Sequence, residues 1–305
     1  MAPARTAVVH LVWGPAELAP FETFVASYER YPAGCDHDLV LLYNGFVDDA
    51  ALRAHRRRAA ALAAREIVLA APCLDLDAYV RAARSLEHDR VCFVNSYSEI
   101  LAPGWLRLLT AALADGTAGA AGATGSWASH RSYNLCQLGL PGPYGRAFVS
   151  RRAAREAMHE ISGTPVPGAV RNWLYTLLQT ARPGRATGRF PAAHLRTNAF
   201  LVDRARFIEL ARAPAVTKWD TYRLESGRRS ITAQLAAAGT PPVVVDARGA
   251  ARGHADWHLG DVFFQAGQED LLVADNQTRS YASATPAQRT ALSIFAWGDK
   301  ARPVG

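Results

Sequence analysis

One feature constrains this chain more than any other. Four times in its first 113 residues a short apolar run is followed by a helical pattern. Ala7–Val12 reads as a buried strand stopped by Trp13-Gly14-Pro15, and Phe21, Phe24, Val25 and Tyr28 then recur at helical spacing until Pro32 and Gly34. Asp38–Tyr43 is a second strand, ended by Asn44-Gly45. It leads into a helix over Asp48–Ala64 whose first acidic residues suit a helix N-terminus. Ile67–Ala70 and Val91–Val94 are strands three and four, followed by helices over Asp77–Leu86 and Pro103–Leu113. Strands joined by helices cannot pair as hairpins. They predict an α/β fold with a doubly wound, mostly parallel sheet, and ligands at the carboxyl ends of its strands.

The remainder follows a looser pattern. Between Ser126 and Pro191 lie helical patches, Arg151–Ile161 and Val170–Leu178, separated by Gly/Pro joints, as in an insertion or lid. Strand character returns at Leu195–Val202 and Pro242–Val245, with helices at Arg204–Ala211, Ser230–Ala238 and Ala287–Trp297. No internal repeat is visible.

Composition excludes several classes. Half of the 305 residues are hydrophobic and a fifth are charged, so a packed core is affordable and disorder is not expected over most of the length. No apolar run reaches the roughly 18 residues that span a bilayer, and Ala7–Trp13 is too brief for a signal-peptide core, so a cytoplasmic protein is expected. The four cysteines are isolated, which disfavours zinc and structural disulfides. The net charge of +7 is carried by arginines, since Lys218 and Lys300 are the only lysines. Dispersed arginines suit a phosphorylated ligand or an anionic membrane face, or else form a solvated basic surface. No aromatic-basic motif points to nucleic acid.

Three stretches together resemble the family 2 type of glycosyltransferase with a GT-A fold. Tyr79–Leu108 runs helix, strand, polar turn and a helix opening on Pro103-Gly104-Trp105-Leu106; Gly119–Gly125 resembles the next strand; Arg196–Arg204 resembles the strand at the sugar-binding edge, with a later strand at Ala238–Val245. The resemblance covers about residues 7–125 and 190–250. It implies one domain over 1–305, with a nucleotide-binding half (7–125), a helical insertion or lid (126–190) and an acceptor-side half and tail (191–305). It also implies transfer of a sugar from a nucleotide-sugar co-substrate to a hydroxyl of a glycan or lipid-linked acceptor.

The chain departs from that family at the turn after strand four. There an Asp-x-Asp or Asn-x-Asp motif is expected to hold a divalent metal on the donor's diphosphate, and here the turn is Asn95-Ser96-Tyr97-Ser98. Tyr97 stands where the carboxylate is expected, leaving Asn95, Ser96 and nearby Glu99 as oxygen donors for Mg2+ or Mn2+. No metal ligands are assigned, and weak metal dependence is the expectation. At the end of strand two, where an acidic residue often holds the nucleoside, stands Asn44.

The resemblance places the base that takes the acceptor proton at Glu225, with Asp220 as the alternative in an uncertain register; Glu225 could instead serve a helix N-terminus. Cations for the diphosphate are sought among Arg196, Lys218, Arg228 and Arg229, although a lone lysine is commonly a surface residue. Asp75 and Asp77 stand where nucleoside contacts are implied, with helix capping the competing role for Asp77. Trp13 either stacks on the base or packs on the core. His194 reaches a metal or phosphate, or is a structural histidine. Asp275-Asn276-Gln277-Thr278, followed by Arg279 and Tyr281, forms an ordered loop over the site or an ordinary turn. Trp173, Leu174, Leu177 and Leu178 share a helical face that either touches a membrane or packs on the domain. Two rival functions remain: a catalytically silent binding module on the same fold, and another nucleotide-using enzyme. A dehydrogenase is disfavoured because no G-x-G-x-x-G follows strand one.

Overall fold

Strand β1 (Thr6–Trp13) lies inside an eight-stranded sheet, flanked by β2 (Asp38–Asn44) on one side and β4 (Arg90–Val94) on the other, both parallel to it. In this computed structural model, residues 4–129, 131–133, 144, 188–213 and 215–302 are described. Beyond β2 lies the edge strand β3 (Ala64–Val68); beyond β4 come β9 (Ala199–Asp203), β6 (Ala120–Gly122), β10 (Val243–Val245) and β11 (Ala251–Gly253). β9 runs antiparallel to β4 and β6, β11 antiparallel to β10, and the remaining pairings are parallel. The expected mostly parallel, doubly wound sheet is present.

Helices cover both faces because the sheet strands are apolar on both sides. Val8, Leu39, Leu41, Cys92 and Leu201 face α1 (Leu18–Arg30) and α4 (Trp105–Ala111), which contribute Phe21, Phe24, Trp105 and Leu109. Alternate residues Val9, Val40, Val91, Phe93 and Val202 face the other way. They meet α3 (Asp75–Ser85), α5 (Arg204–Leu210), α6 (Lys218–Glu225) and α7 (Ile231–Ala237) through Tyr79, Phe207, Leu224 and Leu235. This period-two division assigns each strand residue to one layer. Among the described residues no helix is long and apolar enough to cross a membrane.

Several boundaries differ from the sequence reading. The helix expected over Asp48–Ala64 is α2 (Asp49–Ala59), because Asp48 caps it and the chain must leave early to start β3 at Ala64. β3 is an edge strand with much of its surface exposed, so it needs no apolar run, and Ile67–Ala70 marked only its end. α3 starts at Asp75 rather than Asp77, and α4 at Trp105 rather than Pro103. The delay in α4 follows from Gly104, held at φ 71 with its N–H donating to the Pro32 carbonyl at 2.6 Å.

Two corrections matter more for function. The strand expected over Leu195–Val202 is broken into β8 (His194–Leu195) and β9, with Arg196-Thr197-Asn198 between them. Likewise Gly119–Gly125 is divided into β6 and β7 (Gly125–Ser126), and β7 pairs with β8. Asp275–Thr278 is no loop. Asp275 caps α8 (Asn276–Ser283), which follows β12 (Val273–Ala274); β12 in turn pairs with β5 (Glu99–Ile100). α9 (Pro286–Trp297) closes the described chain against the same layer as α3. Most of 126–190, including the two helical patches and the Trp173 face, lies outside the described residues.

Candidate active site

The carboxyl edge of the sheet gathers the polar side chains. β1, β2, β4, β6 and β10 end there and antiparallel β9 begins there, so the turn after β4, the break before β9 and the break after β6 meet. Asn198 knits them together. Its carbonyl accepts from the Asn95 N–H at 2.9 Å and the Ser98 hydroxyl at 2.7 Å. Its side-chain oxygen accepts from Thr124 at 2.6 Å, and its amide donates to the Val273 carbonyl at 3.3 Å. Asn198 is buried, and these bonds satisfy it while fixing the turn and the break in one geometry.

Beside this knot sits a pair of carboxyl groups. Glu225 ends α6 and Asp75 opens α3, and Thr197 lies between them: its hydroxyl donates to Glu225 Oε1 at 3.0 Å and stands beside the Asp75 carboxyl. Burial pushes the Asp75 carboxyl up, opposed by the Leu76 N–H at 2.9 Å and by Thr197. Glu225 is pushed up to about 8, first by burial and then by the charge of Asp75, with Thr197 and Arg196 pulling it back. Two such carboxyls do not readily ionise together, so the pair retains a shared proton into the neutral range. The phenol of Tyr79 is fully buried, has no partner at bonding distance, and has Asp75, Glu225 and Asn95 as polar neighbours. Burial, and then the charges of Asp75 and Glu225, raise its pKa well above the ordinary value, against the opposing effect of Asn95.

Arg196 is the buried cation of the site. It contacts Asp275 at 2.7 Å, Gln277 Oε1 at 2.9 Å and Thr124 Oγ1 at 3.4 Å, and its guanidinium lies 4.0 Å from the centre of the Phe263 ring. The segment carrying Phe263 turns through Phe264, Ala266 and Gln268, all three with positive φ. That strained backbone is held by Gln268, whose side chain bonds the Phe264 N–H and the Thr278 carbonyl. A second arginine, Arg279 on α8, reaches the turn after β4, donating to the Tyr97 carbonyl at 2.9 Å and to Glu99 at 3.3 Å.

The turn does not fit a divalent metal. The Asn95 side-chain oxygen faces the Tyr97 N–H at 3.4 Å, Ser96 is buried, and Glu99, the nearby carboxylate, is paired with Arg279. Among the described residues no group of three or more His, Cys, Asp or Glu side chains could hold a metal ion. Glu99 is the single carboxylate of this donor set and the other oxygens are neutral, fewer hard anionic donors than Mg2+ and Mn2+ prefer, and a guanidinium already lies against the turn.

The structure brings Trp13, Asn44, Asp75, Asn95, Ser96, Arg196 and Glu225 to the carboxyl edge, the first two as the last residues of β1 and β2, and gives the other candidates separate places. Asn44 is buried at the end of β2, where it donates to the Cys73 carbonyl at 2.8 Å and accepts from the Cys73 N–H at 3.1 Å; its side chain ties β2 to the segment before α3. Trp13 is half-buried, its ring closing on Gly45 so tightly that a Cβ there would lie 2.8 Å from the indole. Asp77 pairs with Arg81 at 2.8 Å and does not cap α3, whose cap position is Leu74. Asp220 forms a capping box with Thr217 at the start of α6. Lys218 is exposed about 10 Å along the axis of α6 from Glu225, and Arg228 and Arg229 are exposed in the following turn. His194 contacts the Ala192 carbonyl at 2.7 Å. The sequence marks Arg279 only as a neighbour of the Asp275–Thr278 stretch, and no spacing signal marks Thr197, Asn198 or Tyr79 as site residues.

No protein-family profile matches the chain, and no curated protein matches it. Solved structures do show a likeness. A mannosyltransferase from Pyrobaculum calidifontis in complex with GDP-Man and Mn2+ is 14% identical over 84% of this chain and 60% of its own, with a TM-score of 0.44. Glucosyl-3-phosphoglycerate synthase from Mycobacterium tuberculosis, in complex with Mn2+, UDP and phosphoglyceric acid, is 16% identical over 80% of this chain and 69% of its own, with a TM-score of 0.42. HddC from Yersinia pseudotuberculosis is 8% identical, with shares of 67% and 79% and a TM-score of 0.35. The likeness is one of fold alone. The chain spans about 60% of the length of the mannosyltransferase.

Proposed function

We propose that this chain is a glycosyltransferase that moves a sugar from a nucleotide-sugar donor to a hydroxyl of a glycan or lipid-linked acceptor. The reading is supported above all by the Asp75–Glu225 pair on the Thr197 hydroxyl, at the sheet edge where a doubly wound fold binds ligands. Attack by a hydroxyl on an anomeric carbon needs a group that takes the hydroxyl's proton as the new bond forms. Glu225, held near the neutral range by burial and by Asp75, is matched to that task. Attack assisted directly by such a base, with the diphosphate leaving from the opposite face, inverts the anomeric centre. Trp13, half-buried at the end of β1, offers an aromatic face to the donor's base.

A turn without the metal-binding carboxylate also supports the alternative of a silent binding module. One experiment separates the two. Nucleotide sugars and nucleoside diphosphates are screened by thermal shift, and the donor that raises the melting temperature is tested for turnover with wild type and Glu225→Gln. The expected result is turnover by the wild type and a loss of about 10²–10⁴-fold in Glu225→Gln with donor affinity nearly unchanged. Binding without turnover in the wild type would favour the silent module. Full activity in Glu225→Gln would move the base elsewhere.

A further inference from the structure

We propose that Arg279 is a built-in diphosphate site, a guanidinium that does at the turn after β4 what a divalent cation would otherwise do. It lies outside the broken strand, α6 and the turn after α6, which carry the cations Arg196, Lys218, Arg228 and Arg229 that the sequence offers. It arrives from α8, which the Asp275 capping box starts at a defined position. Its own N–H bonds the Asp275 carbonyl at 3.0 Å, and Asp275 is clamped by Arg196, so the backbone behind Arg279 is fixed.

The side chain retains donors for a ligand. A guanidinium has five N–H groups in a planar fork. Here one nitrogen donates to the Tyr97 carbonyl and another to Glu99, while 42% of the side chain remains exposed. The Glu99 contact is long, at 3.3 Å, and both partners are partly solvated, so it contributes little and exchanges readily for a more highly charged anion. The Tyr97 carbonyl, in contrast, anchors the group to the turn. Arg196 is a poor substitute, because turning toward a ligand would leave Asp275 buried without its cation. Arginine binds paired phosphate oxygens through two parallel N–H bonds. The ligand class is therefore a phosphate group, on the glycosyl-transfer reading the donor's diphosphate, held beside the Asn95–Ser98 turn.

The phosphate-binding part stands on Arg279 itself, and the diphosphate and nucleoside parts rest on the glycosyl-transfer reading. The test is titration calorimetry of the whole chain with inorganic pyrophosphate, with UDP and GDP, and with uridine and guanosine, each in chelator and in Mn2+. Wild type is expected to bind pyrophosphate in chelator. Arg279→Gln is expected to lose about 10- to 100-fold, the scale of charge-assisted hydrogen bonds, with nucleoside binding unchanged. Arg279→Lys should recover only part, because an ammonium lacks the fork. The proposal is overturned if Arg279→Gln binds like wild type, if wild type binds pyrophosphate only with Mn2+, or if it binds none. Arg279-dependent pyrophosphate binding without any binding of UDP or GDP would sustain this proposal and end the glycosyl-transfer reading.

Discussion

Replacing Glu225 with glutamine should stabilise the protein, and by more as the pH rises. The ordinary pKa of this side chain is 4.5, and burial beside Asp75 lifts it to about 8 in the folded protein. The folded state thus holds a proton that the unfolded chain gives up. Stability from this group is full below pH 4.5 and is lost as pH rises toward 8. Each pH unit in that window is worth about 1.4 kcal/mol. The whole interval gives an upper bound of about 5 kcal/mol, and because Asp75 shares the proton an effect of about 2–5 kcal/mol is the working range. Glutamine keeps the shape and still accepts from Thr197, but it cannot ionise. At roughly 2 °C per kcal/mol for a chain of this size, Glu225→Gln should melt about 4–10 °C above wild type at pH 8. At pH 4.5 the two should nearly coincide. The assay is thermal melting of both proteins from pH 4.5 to 9. A gap that is constant across that range, or that narrows as pH rises, would refute the buried pair.

Asp75→Asn removes the charge that helps to lift Glu225, so the acid limb of kcat/KM should move to lower pH; an unchanged limb would show that the two carboxyls do not interact. Arg196→Met should cost about 3–5 kcal/mol in denaturant unfolding by stranding Asp275, with most of it recovered by adding Asp275→Asn; no recovery would place the loss in packing against Phe263.

The sequence carried the sheet well and the site unevenly, for physical reasons. Central strands such as Val91–Val94 are buried on both faces and must be apolar throughout, so their positions are legible. β3 is half solvated, and nothing in Ala64-Arg65-Glu66 marks a strand. The break at Arg196–Asn198 hid inside an apolar stretch, because a turn pinned by the Asn198 hydrogen bonds needs no glycine or proline to signal it. Asp75 and Glu225 were named, but their partnership was not. They lie 150 positions apart in the sequence, and only the fold brings them together beside Thr197. Asp220 resembled a base in sequence, yet its carboxylate is spent on Thr217, as a Thr-x-x-Asp box at a helix start dictates. Arg279 is marked in the sequence only as the residue after the polar Asp275–Thr278 stretch. Its meaning depends on β12 pairing with β5, a contact between residues far apart in the chain.

The central claim is that a nucleotide sugar's diphosphate sits at the carboxyl edge, between the turn after β4 and the start of α8, within reach of the carboxyl pair. A crystal soaked with the nucleoside diphosphate that gives the largest thermal shift tests this most directly. The account predicts phosphate density against the Arg279 guanidinium and the Asn95–Ser98 turn, with the base toward Trp13. Nucleotide at the opposite edge of the sheet, or phosphates held by a metal ion away from Arg279, would contradict it.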